Sequence, residues 1–295
     1  MSNQYYNTAS LTYEYGSSLK KGFASSNIAV ATLKESVVVS ASTFGKTYFQ
    51  NSEIIFIVQI DNNASEEIKN VKVTNDLGKY CLGKGICDSF IVPLTYVDSA
   101  LLYICGKFSS DIKPETYSEN LVFNIERIPE KSSALLIYKT KTNEYSPLAS
   151  NSEITNRITV SAPNLKDSIE SICKIKVRDE ADIKIIKNMS PNPAFPGEKI
   201  NYSFSLYNYG NIPANNVILN DVFEPSLNIK SVFLNSKEVS NSDYSYNSGN
   251  FAFPSQNSEL SISISSAEFI QDSISGLISI KPGMITITVS GQWIL

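Results

Sequence analysis

The sequence predicts an all-β protein made of two tandem β-sandwich domains that follow an N-terminal, strand-forming arm. Three observations predict this fold. Apolar and polar residues alternate in many short segments, which is typical of strands with one buried face. No stretch keeps the i, i+3, i+4, i+7 spacing of an amphipathic helix over three turns. Finally, one segment of the chain repeats an earlier one, which indicates two copies of one domain.

The repeat joins residues 194–223 to residues 48–77 at a constant shift of 146 positions. The four alternating apolar residues of the later copy and their earlier counterparts are Ile200, Tyr202, Phe204 and Leu206, matching Ile54, Phe56, Val58 and Ile60. Asn208 matches Asn62, and Asn216-Val217 matches Asn70-Val71. Each copy is therefore predicted to form a strand, a polar turn and a second strand.

The length of 295 residues agrees with two domains of ~150 residues each. The predicted parts are an arm over residues 1–35, a first sandwich over 36–162, a connector over 163–181 and a second sandwich over 182–295. The arm is a candidate donor strand or hairpin. Within the first domain, the segments FIVPLTYV and ALLYICGKF are predicted to form a hairpin around Asp98-Ser99.

Composition excludes several classes of function. The net charge is −4 with acids and bases interspersed, which argues against nucleic acid binding. The chain contains no histidine, which removes the commonest general base and most zinc sites. No run approaches the ~20 apolar residues of a membrane span. We therefore expect no enzyme, no cofactor, no metal site and no membrane insertion.

Some short motifs invite a functional interpretation that their context does not favour. Gly45-Lys46-Thr47 resembles the end of a phosphate-binding loop, but Ser40 stands where that loop needs glycine, and a strand follows. The carboxylates of Asp179-Glu180-Ala181-Asp182 suit a calcium ion, although a solvated linker is favoured. Trp293 and the tyrosines form either a carbohydrate platform or core and cross-strand pairs. Cys81 and Cys87 either close a small disulfide loop or remain free thiols.

Three motifs of the second domain carry a resemblance: PGEKINYSFSLYNYGN, ANNVILNDVF and KPGMITITV. They resemble the bacterial repeat known as domain of unknown function eleven. The first domain departs from that pattern, with Gln50-Asn51 in place of Pro196-Gly197 and Asn62-Asn63-Ala64 in place of an Asn-x-Gly turn. The resemblance implies immunoglobulin-like sandwiches, no catalytic residues, and a place among surface proteins of Gram-positive bacteria.

Paired repeats of this kind are similar to clostridial spore-surface and spore-appendage proteins. The N-terminus has no apolar segment of a secretory signal. The resemblance therefore implies a location at a bacterial cell or spore surface that is reached without a classical signal peptide. Other spore or cell-surface proteins are candidate partners besides the chain itself.

The phase of the repeat predicts self-assembly. Domain one ends with the closing strand Asn156–Val160, and no such strand follows Met284–Val289 in domain two. The segment Asn7–Thr12 resembles a closing strand with no domain before it. Insertion of this strand into the C-terminal domain of a neighbour would give a head-to-tail homopolymer. The predicted interface residues are Asn7, Ala9, Leu11, Tyr13, Met284, Ile285, Ile287, Val289 and Trp293.

Two alternatives remain open for the arm, which either packs on its own first domain or is disordered. A cross-link is a further candidate feature. Lys187 lies on the opening strand of domain two, where some surface sandwiches bond lysine to an asparagine of the closing strand, and Asn7 is its candidate partner. Cys81 and Cys87 are the other cross-link candidates. The predicted function is a structural fibre subunit; the alternative is an adhesin that binds a glycan or protein.

Overall fold

The computed structural model describes residues 3–33, 36–83, 90–117 and 119–294. All regular structure in these ranges is strand, arranged as an N-terminal hairpin and two tandem immunoglobulin-like β-sandwiches, which confirms the predicted fold class. The described ranges hold no helix that is long and apolar enough to cross a membrane.

The arm is an antiparallel hairpin that pairs with itself. Its strands are β1 (Asn3–Asn7), β2 (Ser10–Tyr15), β3 (Lys20–Ser25) and β4 (Ala29–Leu33). Strand β1 pairs with β4, and β2 pairs with β3. Among the described residues, no strand of either sandwich pairs with the arm. The strands of the arm are therefore hydrogen-bonded to each other.

The described part of the first sandwich contains thirteen strands. They are β5 (Val37–Phe44), β6 (Thr47–Tyr48), β7 (Glu53–Asn62), β8 (Ile68–Asn75), β9 (Tyr80–Cys81), β10 (Phe90–Ile91), β11 (Leu94–Ile104), β12 (Lys107–Asp111), β13 (Glu115–Tyr117), β14 (Asn120–Ile128), β15 (Ser132–Thr142), β16 (Glu153–Ser161) and β17 (Ile169–Val177). One main sheet has the order β12-β11-β15-β7-β5, and the other has the order β13-β14-β8-β16-β17-β6. Alternate residues of both sheets meet in one core that includes Phe56, Phe123 and Tyr138.

Two sequence predictions about this domain need correction. The hairpin predicted around Asp98-Ser99 does not form, because β11 continues through these residues with a change of register between Val97 and Ala100. The turn lies instead at Cys105-Gly106, where both residues have positive φ. The predicted connector 163–181 contains β17, which is hydrogen-bonded along β16 and therefore completes the first domain.

The second sandwich contains ten strands. They are β18 (Ile183–Ser190), β19 (Ile200–Asn208), β20 (Leu219–Val222), β21 (Leu227–Leu234), β22 (Lys237–Glu238), β23 (Ser245–Asn247), β24 (Asn250–Phe253), β25 (Glu268–Gln271), β26 (Ile278–Lys281) and β27 (Gly283–Trp293). One sheet has the order β18-β19-β27-β21-β22, and the opposing sheet has the order β20-β24-β23. Their core includes Phe204, Phe251 and Phe253.

The predicted repeat is confirmed in three dimensions by its asparagines. The buried side chains of Asn62 and Asn208 close equivalent turns: Nδ2 of Asn62 donates to the carbonyl of Pro129 at 2.8 Å, and Nδ2 of Asn208 donates to that of Ser265 at 3.1 Å. Asn70 and Asn216 both adopt positive φ, at 52° and 54°. Asparagine tolerates this left-handed conformation better than most residues, which explains why it recurs there.

The two sandwiches meet at a polar junction. The buried amide of Asn211 donates from Nδ2 to the carbonyls of Leu148 and Arg178, both at 3.1 Å, and its Oδ1 accepts from the backbone of Glu180 at 2.8 Å. Nε2 of Gln271 also donates to the hydroxyl of Tyr80 at 2.7 Å. One asparagine thus ties together the end of domain one, the connecting residues and the first turn of domain two.

Candidate functional site

The candidate site is the edge of β20, which the structure leaves open. In domain one the equivalent strand β8 pairs with β14 on one side and with β16 on the other. Strand β20 pairs with β24 on the first side, and within the described ranges no strand pairs with its other side. An open edge presents unpaired N–H and C=O groups that can pair with a further strand.

In domain one the β16–β17 hairpin covers side chains whose counterparts in domain two are exposed. Val37 on β5 is 4% exposed, whereas its counterpart Ile183 on β18 is 42% exposed. Asp76, which follows β8, is 9% exposed, whereas its counterpart Val222 is 62% exposed. Large apolar side chains next to an open sheet edge indicate a surface that is covered in the working state of the protein.

The arm carries its own exposed apolar surface. Eight large apolar side chains of the described arm are exposed, namely Tyr6, Leu11, Tyr13, Tyr15, Leu19, Phe23, Ile28 and Val30. A two-stranded hairpin without a packed face is only marginally stable in water. In domain one, β8 and the β16–β17 hairpin cover each other. The open edge of β20 and the arm both lack such a cover.

The arm matches the β16–β17 hairpin in its topology and its sequence pattern. Both are antiparallel hairpins, and each leads within a few residues into the first strand of a sandwich: β17 precedes β18, and β4 precedes β5. Asn7, Ala9 and Leu11 have the spacing of Asn156, Ile158 and Val160. The last three are all buried in domain one. The same pattern on the arm suits the same position against β20.

Strand β27 carries the interface residues predicted in domain two, and it is not an open edge of its sheet. Strand β27 lies in the middle of its sheet, with β19 on one side and β21 on the other. Its backbone is therefore already paired. Ile285, Ile287 and Val289 are buried and line the core beneath the open edge, whereas Met284 is 53% exposed on the outer face.

Trp293, at the end of β27, faces the interior of the second domain. Its indole N–H donates to the hydroxyl of Tyr202 at 3.3 Å, and its ring packs against the core cluster. This position fits a core residue at the rim of the sandwich, and a carbohydrate platform receives no support from it. Asn7, Ala9, Leu11 and Tyr13 lie on the arm hairpin and are all exposed.

A charged pair lies beside the open edge. Nζ of Lys187 on β18 lies 2.6 Å from Oδ2 of Asp221 on β20, and the Asp221 side chain is 18% exposed. The ammonium also lies over the rings of Tyr202, Phe223 and Phe204, at 5.0, 5.3 and 5.4 Å from their centroids. Cation–π contacts of this kind attract the ammonium group to the faces of the rings. The acid that pairs with Lys187 is therefore Asp221.

Domain one has a neutral group in the same place. Shifting by 146 positions replaces Lys187 by Ala41 and Asp221 by Asn75. Nδ2 of Asn156 on β16 donates to Oδ1 of Asn75 at 2.6 Å, and both side chains are fully buried. Asn75 in turn donates to the hydroxyl of Tyr138, whose pKa is raised by burial. Asp221 was not identified from the sequence, although the shift of 146 positions that defines the repeat also relates it to Asn75.

The cysteines divide into two groups. Cys81 is disulfide-bonded, while Cys105 and Cys173 are free thiols. Cys87, the other cysteine proposed for a cross-link, lies outside the described residues. Burial raises the pKa of the Cys173 thiol to about 11. Of the two alternatives considered for Cys81, the structure shows the disulfide-bonded one.

The acidic segment near residue 180 is a structural linker. Arg178 and Glu180 form an ion pair, and the hydroxyl of Ser150 donates to Asp179 at 3.0 Å. Within the described ranges, no three His, Cys, Asp or Glu side chains lie together where they could hold a metal ion. The carboxylates therefore have protein partners, and nothing in their arrangement points to a bound cation.

Comparison with known proteins gives structural matches only. No family model matches the chain. A search of curated protein sequences finds no match either. The crystal structure of BcpA, the major pilin subunit of Bacillus cereus, matches with a TM-score of 0.37 and 13% identity, over 85% of this chain and 66% of that chain.

Two further solved structures match about half of the chain. The collagen-binding subdomain ACE19 of the Enterococcus faecalis surface protein ACE matches with a TM-score of 0.28 and 10% identity, over 50% of this chain and 98% of that one. AvmM, described as catalysing macrocyclization in alchivemycin A biosynthesis, matches with a TM-score of 0.31 and 8% identity, over 50% and 92%. At these values the matches carry no argument about activity, partners or location.

Proposed function

We propose that the chain is a non-catalytic structural subunit that polymerises head to tail into a fibre. In this proposal the arm hairpin of one copy pairs with the open edge of β20 in a neighbouring copy. The observation that carries the proposal is the β16–β17 hairpin, which covers the same edge in domain one. The arm has the topology of that hairpin and the spacing of its asparagine and apolar residues.

The register of the docked arm follows from domain one. Ile158 lies opposite Asn75, and Thr159 lies opposite Thr74. Moving these pairs onto the arm and β20 places Ala9 opposite Asp221, Ser10 opposite Asn220 and Leu11 opposite Leu219. The apolar face of β2 then points into the core of the second sandwich, above Ile287 and Val289.

The docking has a clear physical driving force. Each new ladder hydrogen bond contributes about 1 kcal/mol net. Each large apolar side chain removed from water contributes ~1.5–3 kcal/mol. The ordering cost is reduced because the arm is already a hairpin before it binds. Addition of a strand or hairpin to an open sheet edge is a common mode of protein recognition.

The geometry of the contact favours a filament over a closed dimer. The arm precedes the first sandwich and β20 lies in the second, so the two contacting surfaces differ. Contacts between different surfaces repeat along a filament unless a rotation closes them into a ring. Following the family resemblance described above, we place this fibre at a bacterial cell or spore surface.

Electron microscopy and sedimentation of the purified full chain test the proposal. We expect filaments that lengthen with concentration, and soluble monomers when Leu11→Asp places a charge on the apolar face of β2. Leu19→Asp is the matched control, because Leu19 lies in the turn of the hairpin, away from the docked strand. Monomers at every concentration of the unmodified chain would contradict the proposal and favour the binding-module alternative. Filaments that persist after removal of residues 1–33 would contradict it as well.

A further inference from the structure

The connection between β18 and β19, residues 191–199, carries an exposed aromatic ring. The Phe195 side chain is 68% exposed there, on a segment that also holds Pro191, Pro193 and Pro196. In the described part of the chain, no strand pairs with this connection. A single exposed ring is ordinary on a protein surface. Its counterpart in domain one makes this one informative.

The counterpart of Phe195 is Phe49, and the two residues begin the same turn. The N–H of Phe49 donates to Oγ of Ser52 at 2.8 Å, and the N–H of Phe195 donates to Oε2 of Glu198 at 3.0 Å. The N–H groups of Ser52 and Glu198 donate back to the carbonyls of the two phenylalanines, at 3.3 and 3.1 Å. The turns are therefore equivalent, yet Phe49 is only 8% exposed.

In domain one, β17 covers the segment that leads into this turn. Strand β6 pairs in parallel with the end of β17. The N–H of Lys176 donates to the carbonyl of Lys46 at 3.0 Å, and the N–H of Arg178 donates to that of Tyr48 at 2.7 Å. Tyr48 is 1% exposed, and Phe49 packs in the first core. The hairpin that covers β8 therefore also holds β6 against the sandwich.

Domain two keeps the acceptor groups for the same pairing. A shift of 146 positions replaces Lys46 by Asn192 and Tyr48 by Ala194. Both residues retain the backbone carbonyl that the pairing uses. Pro193 lies between them, where its missing N–H removes neither acceptor. The segment is therefore able to accept a parallel strand, and it lacks one in the described chain.

The second strand of the arm, formed by β3 and β4, has the register and the pattern of β17. Asn7 lies opposite Ala29 on the arm, as Asn156 lies opposite Cys173 in domain one. In this register, apolar residues of β17 have apolar counterparts on β4. They are Cys173, Ile175 and Val177, matching Ala29, Ala31 and Leu33.

We propose that residues 191–199, which we call the latch segment, close on the second strand of the arm of a neighbouring copy. In domain one Val177 lies opposite Tyr48, and the same pairing places Leu33 of the docked arm opposite Ala194. The ring of Phe195 then packs on the core of the second sandwich, as Phe49 packs on that of the first. This inference rests on the proposed arm docking and adds a second contact to the same site.

The latch segment acts mainly on release of the arm. The arm reaches the open edge of β20 before the latch segment closes, and the latch segment must open again before the arm leaves. Burial of a phenylalanine ring is among the larger apolar contributions that one side chain makes. Loss of the Phe195 ring should therefore raise the dissociation rate by at least about tenfold.

Dissociation of filaments of the full chain tests this effect. Filaments are diluted below the concentration at which they assemble, and their loss is followed by light scattering. We expect Phe195→Ser filaments to dissociate at least about tenfold faster than unmodified ones. Phe44→Ser is the matched control, because the Phe44 ring is 77% exposed on β5 and lies outside the proposed contact. Since Phe195 is exposed in the monomer, melting of the Phe195→Ser monomer should be unchanged.

Thiol labelling tests where the latch segment lies in the filament. In a Cys105→Ser background, Phe195→Cys and Ser236→Cys each introduce a thiol at an exposed position of the second domain. Both thiols should react with a maleimide in dilute monomer. In filaments the thiol at position 195 should be protected. The thiol at position 236, in the turn between β21 and β22 at the opposite edge of the sheet, should still react.

The outcomes separate the latch segment from the arm docking. Filaments of the unmodified chain that dissociate no more slowly than Phe195→Ser filaments overturn the latch and leave the docking intact. Equal labelling of Phe195→Cys in monomer and filament does the same. A chain that forms no filaments overturns both proposals. An equal acceleration in Phe44→Ser overturns the assignment to Phe195.

Discussion

Lys187 Nζ and Asp221 Oδ2 lie 2.6 Å apart across two sheets of the second sandwich, directly beside the open edge of β20. Their counterparts in the first sandwich are Ala41 and Asn75, which lie beneath the β16–β17 hairpin. The two domains therefore share a fold, and they differ at this edge, where the first is covered from within the chain and the second is open.

The buried asparagines of the two repeats predict a matched pair of stability losses. Asn62→Ala removes a side chain that bonds three backbone carbonyls and one backbone N–H. Asn208→Ala removes one that bonds three backbone carbonyls and two backbone N–H groups. Because these buried groups are left unpaired, we expect each change to lower the free energy of unfolding of its own domain by about 2–3 kcal/mol. Calorimetry should show that only the altered domain melts earlier. Asn228→Ala, on the exposed face of β21, is the control and should change stability by less than about 0.5 kcal/mol.

The two free thiols should differ strongly in reactivity. Cys105 is exposed in a turn, whereas Cys173 is 5% exposed on β17 and burial raises the pKa of its thiol to about 11. Because the thiolate is the reactive species, Cys173 should resist alkylation at pH 8 while Cys105 reacts. Mass spectrometry after timed iodoacetamide treatment measures this directly. Equal labelling of both cysteines in the folded chain would contradict the packing of β17 on the first core.

Asp76 predicts a pH dependence of the first domain. Burial raises the pKa of this carboxyl, although hydrogen bonds from the backbone of Arg157 and Gly78 act in the opposite direction. A raised pKa means that the folded state binds the proton more tightly than the unfolded state does. Stability should therefore increase as pH falls from the folded pKa to the unfolded pKa, and the penalty is present at neutral pH.

Asp76→Asn keeps an oxygen for the two backbone donors and removes the buried charge. We expect the variant to gain stability relative to the unmodified chain as pH rises from 4 to 7 in denaturant titrations. Glu170→Gln, at an exposed position on β17, is the control and should show no such gain. If the variant instead lost stability relative to the unmodified chain as pH rises, the effect of the backbone hydrogen bonds on the pKa of Asp76 would outweigh that of burial.

The exposed arm predicts a protease pattern that depends on assembly. The Lys20-Lys21 pair on β3 is exposed, as are the residues around it. Brief trypsin treatment of dilute monomer should cut the arm first and leave the sandwiches intact, because local opening of an unpacked hairpin costs little. In filaments the same bonds should be protected. Equal cleavage in both states would show that the arm remains outside the contact.

Much of this fold could be predicted from the sequence, because the alternation of apolar and polar residues shared by the two copies marks the strands β7, β8 and β19. The repeat also marks the buried asparagines at the ends of β7 and β19. Both copies of the repeat also have the turn before the first strand. Asn51 and its counterpart Gly197 both have positive φ there, at 59° and 84°. The hairpin predicted at Asp98-Ser99 failed because polar residues can lie in a register shift within one strand as well as in a turn. Sequence alone gave no sign of it.

The candidate site was predictable only in part. The arm and Lys187 were found by pattern, because their residues recur at repeat spacing. The interface residues of domain two were predicted on β27, because alternation marks a strand but does not show which of its sides is already paired. Asp221 was overlooked because an acid at the end of a strand has no pattern of its own. Its significance comes from Asn75, which occupies the same position beneath Asn156.

Disulfide trapping between the arm and β20 tests the central claim most directly. In a Cys105→Ser background, Ser10→Cys and Asn220→Cys are opposite each other in the proposed register, at the positions that Thr159 and Thr74 occupy in domain one. Mild oxidation should give a ladder of disulfide-linked multimers that reductant removes. Ser10→Cys with Asn247→Cys, on the exposed strand β23, should stay monomeric. Absence of the ladder from the first pair, or an equal ladder from both, would contradict the docking of the arm on β20.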